Sequence, residues 1–226
     1  MKEAAEVPRW RGVLAIVLGL LPWPAAGLGL YKFHSAPLAF VGYHIMCFIG
    51  GLLLRSPALP PTASSWRFRR RHMLGTILAA NAFTLIVYLY VGAALLDKPQ
   101  VLGLMAKRGL PPTTYFWLFP YFALVNPLAE EYFWRGGVYA TLRPLFKSYL
   151  PSAIISAILF GAWHWLVIRL FVAPWIALGA VALIAGIGFL LAITYERTRR
   201  MSYPIILHAF AGDAPLLLLL LLLGRG

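Results

Sequence analysis

The chain has 226 residues, 61% of them hydrophobic and 12% charged, with a formal net charge of +13 and a mean hydropathy of +0.78. Soluble domains carry roughly 45–50% apolar and about 25% charged residues, so a soluble globular domain and a disordered chain are both excluded. The single cysteine, Cys47, excludes a disulfide framework and any multi-cysteine metal cluster. The basic residues sit between apolar blocks rather than along one face, so no nucleic-acid partner is expected.

A helix crossing a bilayer needs about 20 apolar residues. Seven apolar segments lie near 12–31, 36–54, 73–96, 114–140, 150–172, 174–195 and 201–223. They predict an all-α fold, a polytopic transmembrane bundle of about seven helices (six to eight), forming one integral membrane domain over 1–226. Lys2, Arg9 and Arg11 precede a first segment too long for a signal peptide, and no convincing cleavage site follows it. The internal repeat that marks many transporters is not visible. The run Leu216–Leu223 reads as a lipid-facing helix end.

With the N-terminus in the cytoplasm, 14 of the 20 Lys and Arg residues fall on the inner side, including the cluster Arg67–Arg71. Positive charge favours the inside, so the expected topology is N-in and C-out, in a prokaryotic inner membrane. The Arg67–Arg71 cluster reads as a solvated anchor at anionic headgroups.

The fourth segment is apolar in its first half and carries Glu130, Glu131 and Arg135 in its second. An ionisable side chain within a membrane costs roughly 2.5–3.5 kcal/mol on insertion scales and is a functional candidate by default. Glu131 and Arg135 are spaced i, i+4, so on a helix they share a face and can pair. Glu130 lies about 100° further round and is expected to remain unpaired. Pro127 removes a helical hydrogen bond and predicts a kink just before the glutamates.

Phe160 and His164 are also i, i+4 in the fifth segment; His208 and Asp213 lie in the seventh. Taken singly, His164 and His208 read as core histidines. Taken with Glu130, they predict one carboxylate and two imidazoles converging on a cavity that opens toward the cytoplasmic half. His34 reads as solvated in an outer turn, His44 as a packing residue, and Asn81 as an interhelical hydrogen-bonding residue.

A glutamate without a fixed cation in an apolar cavity can act as a general base on water. Two histidines can orient the water and stabilise the oxygen that turns negative when a carbonyl is attacked. The same Glu130, His164 and His208 set could instead bind zinc, and spacing alone does not separate the two. No H-E-x-x-H or G-x-S-x-G motif is present.

Glu130-Glu131-x-x-x-Arg135, then Phe160-x-x-x-His164, then His208 on a late segment resemble the three motifs of the CPBP family of intramembrane metalloproteases or glutamic-type endopeptidases. These are the CAAX proteases and bacteriocin-processing enzymes, including the Ras-converting CAAX endopeptidase. The surrounding Asn126-Pro127-x-x-Glu-Glu-Tyr-Phe-Trp-Arg-Gly-Gly is similar to the first motif, with Trp134 where Phe is usual. The resemblance covers about 114–215, the expected catalytic core.

It implies a helical-bundle endopeptidase that cleaves a membrane-anchored peptide, prenylated or not. By position, Glu130 would activate water, Glu131 with Arg135 would set the site, His164 would assist the water and His208 would stabilise the oxyanion. The family usually has Asn or Asp four residues after the last histidine. Here that position is Gly212, and Asp213 comes fifth. On a regular helix Asp213 would miss the face of His208; a one-residue bulge near Gly212–Pro215 would restore it. The competing expectations are a non-catalytic scaffold or bacteriocin-immunity protein of the same fold, and a proton-coupled transporter, which the missing repeat disfavours.

Overall fold

The computed structural model describes residues 8–54, 70–87, 89–90 and 97–224. Among the described residues there are eight helices and no strand. In chain order these are α1 (Arg9–Lys32), α2 (Ala36–Leu53), α3 (Arg70–Val87), α4 (Lys98–Lys107), α5 (115–142), α6 (Leu150–Ile168), α7 (Pro174–Thr198) and α8 (202–224). Helices α1, α2, α6, α7 and α8 are long and apolar enough to cross a bilayer. The bundle matches the expected fold, and each apolar segment becomes a helix that starts within a few residues of the expected position.

Short local signals set the helix ends. Ser35 caps α2 by accepting the Leu38 amide at 3.3 Å, and exposed His34 turns the chain with a φ of 50°. Pro22 removes a helical donor and interrupts α1 at Leu21. Helix α4, which the apolar segments do not anticipate, starts at Asp97, whose side chain accepts the Gln100 amide at 3.1 Å. Only one face of α4 is covered, by way of Val101 and Met105.

Close backbone approach, which only small residues permit, brings the helices together. A Cβ on Gly161 of α6 would lie 2.8 Å from the Ala185 backbone nitrogen of α7, and one on Gly29 would lie 2.5 Å from the Ala39 Cα of α2. The side chains of Tyr43, Phe133, Trp134, Arg135 and Tyr139 are fully buried, so α5 runs through the centre of the bundle. Leucines such as Leu178, Leu183 and Leu190 of α7 remain exposed, the surface a bilayer solvates.

Polar contacts tie the bundle at two further places. Asn81 of α3 donates to the Phe210 carbonyl of α8 at 2.7 Å. Near the far ends of α5 and α7, buried Glu196 accepts from the Tyr139 hydroxyl at 2.5 Å and pairs with Arg143 at 3.1 Å and Arg199 at 2.7 Å. Of the basic-loop residues, Lys2, Arg55, Arg67, Arg69 and Arg225 lie outside the described residues. In the leucine run, Leu216 and Leu218 are exposed and Leu217 is buried; the side chains of Leu220–Leu223 lie outside those described.

Candidate active site

Helix α5 departs from α-geometry on both sides of the glutamates. Tyr121–Val125 and Tyr132–Tyr139 are π-helical, and the α-helical turn Asn126–Glu131 lies between them with Pro127 in its first turn. Pro127, where the sequence predicts a kink, thus falls just after the change from π- to α-helical geometry at Val125–Asn126. Glu130 and Glu131 project from this turn and are 2% and 0% exposed.

Glu131 Oε1 accepts from Arg135 at 2.7 Å and from His208 Nδ1 at 2.7 Å. Arg135, 1% exposed, also donates to the Gly188 carbonyl of α7 at 2.9 Å and lies over the Phe160 ring at 4.7 Å. A buried guanidinium needs several acceptors to offset its desolvation, and α5, α6 and α7 supply them together.

Glu130 is not as isolated as its helix position suggests. His208 lies between the adjacent glutamates: its Nδ1 faces Glu131, and its Nε2 lies 3.4 Å from Glu130 Oε2 and 3.6 Å from Asp213 Oδ1. Glu130 Oε2 is nonetheless buried without a hydrogen-bond partner, as is Glu131 Oε2. The His208–Asp213 contact exists because residues His208–Asp213 form a π-helix. The wider turn brings position +5 onto the histidine face, and Gly212 fills position +4, where a Cβ would lie 3.3 Å from His208 Cδ2. The irregularity begins at the histidine itself, upstream of the expected bulge near Gly212–Pro215.

His164 follows a break in α6 at Trp163. Its Nδ1 donates to the Phe160 carbonyl at 2.8 Å, which makes Nε2 the acceptor of the ring. Phe160 holds both imidazoles in place. Its ring lies 5.2 Å from that of His164 and 5.9 Å, edge to face, from that of His208. The structure therefore brings Glu130, Glu131, Arg135, Phe160, His208 and Asp213 into one buried cluster, with His164 at its edge.

The comparisons with known proteins bear on this cluster. Residues 112–212 match a family model described as type II CAAX prenyl endopeptidase Rce1-like. The match is consistent with a CPBP or CAAX protease, and with five spanning-competent helices it makes the chain an integral membrane protein. No curated protein and no solved structure matches the chain.

A zinc ion is a poor fit to these residues. His208 Nδ1 is held by Glu131 and His164 Nδ1 by a backbone carbonyl, which leaves each Nε2 as the nitrogen a metal could use. Even so, among the described residues no group of three His, Cys, Asp or Glu side chains is placed to hold a metal. Glu130, His164 and His208, the set that the sequence leaves open for zinc, are not such a group.

Two residues of the neighbourhood were missed in the sequence. His44, read as a packing residue, hydrogen-bonds Asn126 at 2.8 Å, and Asn126 donates to Asp213 at 3.0 Å. The signals in the sequence are the polarity of Asn126 next to Pro127, one turn before the glutamates, and its place in the stretch similar to the first motif.

Proposed function

We propose that the protein is an intramembrane endopeptidase that hydrolyses a peptide bond of a membrane-anchored peptide, prenylated or C-terminally anchored, by water activated at Glu130. The catalytic core spans 114–215 within a single membrane domain, with the N-terminus cytoplasmic and the site open to that side. The observation that carries this reading is Glu130 Oε2, a buried carboxylate oxygen that accepts no hydrogen bond. An orphaned buried acceptor costs stability and calls for a functional explanation, and a substrate water supplies one.

In this mechanism Glu130 Oε2 takes a proton from water as the water oxygen bonds to the scissile carbonyl carbon. His164 Nε2 accepts the second water proton as a hydrogen bond and fixes the direction of attack. His208, held at Nδ1 by Glu131, turns Nε2–H toward the oxygen that gains the negative charge. When the intermediate collapses, the C–N bond breaks and the proton held by Glu130 passes to the leaving amine, which returns the carboxylate to its starting state. Arg135 offsets the charge of Glu131, so that Glu130 is the carboxylate free to cycle.

The test incubates purified protein in liposomes with a membrane-peptide library, in farnesylated and unmodified forms, and maps products by mass spectrometry. Cleavage that disappears in Glu130→Ala supports the reading. Full biological activity in both Glu130→Ala and His208→Ala would show a non-catalytic scaffold instead.

A further inference from the structure

Tyr121, His44 and Asn126 adjoin the site but take no part in the reaction proposed above. They are linked in series. Tyr121 bonds His44 Nδ1, His44 Nε2 bonds Asn126 Oδ1 at 2.8 Å, and Asn126 Nδ2 bonds Asp213 Oδ2 at 3.0 Å. The other oxygen of Asp213 faces His208. His44 and Asn126 are buried, and the series joins α2, α5 and α8.

With Asp213 ionised and His44 neutral, one arrangement of protons satisfies all three bonds. A carboxylate oxygen only accepts, so the Asn126 amide must point its NH2 toward Asp213 and its oxygen toward His44. His44 Nε2 must then carry the ring proton, and Nδ1 is bare and takes the Tyr121 hydroxyl proton. We propose that Tyr121, His44 and Asn126 form a directional donor chain that positions Asp213, and through Asp213 holds the His208 ring from its Nε2 side. Glu131 holds the same ring from the Nδ1 side, so the imidazole is fixed at both edges.

A consequence separates this role from mere packing. Without the Tyr121 hydroxyl, Nδ1 of His44 has no donor, and the ring proton can move to it and turn to the Phe40 carbonyl one turn back. Nε2 then becomes an acceptor, the Asn126 amide turns over, and its oxygen meets the Asp213 carboxylate. Two acceptors cannot stay in contact, so Asp213 withdraws from His208. Removal of one oxygen atom from half-buried Tyr121 is thereby felt at His208, three links away.

The effect on rate rests on the endopeptidase reading; the effect on His208 does not. The experiment uses the full chain in lipid nanodiscs with ring-15N histidine, together with kinetics on whichever library peptide is cleaved. Wild-type His44 should carry its proton on Nε2. Tyr121→Phe should shift the ring signals of both His44 and His208, and lower kcat about 10- to 100-fold, the worth of a hydrogen bond to a charged group, with KM unchanged. In an Asn126→Leu background, Tyr121→Phe should move neither the His208 signal nor kcat any further. If Asn126→Leu does not fold, His44→Gln replaces it. A glutamine amide donates to Asn126 without help from Tyr121, so adding Tyr121→Phe should change nothing there.

An unmoved His208 signal in Tyr121→Phe would overturn the proposal, as would an equal effect of that substitution in the chain-broken background. If the wild-type protein cleaves nothing, the endopeptidase reading fails, and the His208 signal still decides whether the chain exists.

Discussion

Arg135→Met is the most informative test of how the site is built. Methionine matches arginine in helix propensity and keeps most of the apolar stem, so the substitution removes mainly the charge and its hydrogen bonds. Glu131, fully buried, then loses Arg135 at 2.7 Å and keeps only His208, the Gly188 carbonyl loses its donor, and Phe160 loses the cation on its ring. Breaking a buried pair by removing one member costs about 3–5 kcal/mol, because the remaining charge is uncompensated. At about 2–4 °C per kcal/mol for a chain of this size, Tm in a fixed detergent should fall by roughly 6–20 °C. Adding Glu131→Gln removes the stranded charge and should recover about 2 kcal/mol, within the usual range for directly coupled residues. Scanning calorimetry on the four proteins of the cycle gives the coupling. A fall of less than about 2 °C, or no recovery in the double variant, would refute a dry pair at the centre of the bundle.

The same geometry carries three further outcomes. Gly188→Ala places a Cβ 2.7 Å from Phe160 Cδ1 and 3.4 Å from an Arg135 nitrogen. Overpacking of this kind costs about 1–3 kcal/mol; since Phe160 braces both imidazoles, kcat should fall together with Tm in parallel unfolding and cleavage assays. Tyr139→Phe removes the 2.5 Å bond to Glu196, which lowers stability by about 1.5–3 kcal/mol while kcat is retained, because that cluster lies apart from the glutamates. Chelator treatment should leave cleavage unchanged, since no three His, Cys, Asp or Glu side chains among the described residues are placed to hold a metal; activity lost to chelator and restored by zinc would contradict this.

Run length and patterning made the bundle legible. Apolar segments long enough for a bilayer became helices, and the i, i+4 pairs Glu131–Arg135 and Phe160–His164 meet as a helix requires. Helix α4 escaped because ten residues with one covered face make no bilayer-length run, although Asp97 followed by Pro99 is an ordinary helix start. The π-helical turns of α5 escaped because i→i+5 bonding leaves no apolar period, whereas the one in α8 is anticipated as a one-residue bulge, placed a few residues late, from the spacing of Asp213 and His208. His44 was passed over because its partner comes from a helix 82 residues away, and pairing at that distance is set by how helices pack, which local periodicity does not encode.

The central claim is that Glu130 is the base, and Glu130→Gln tests it most directly. The substitution keeps the shape of the side chain and removes the proton-accepting oxygen. Single-turnover cleavage of a mapped peptide in liposomes should slow by about 10²- to 10⁴-fold, the usual contribution of a general base, with Tm at or above the wild-type value. A Glu130→Gln protein that cleaves within tenfold of the wild-type rate would contradict the account.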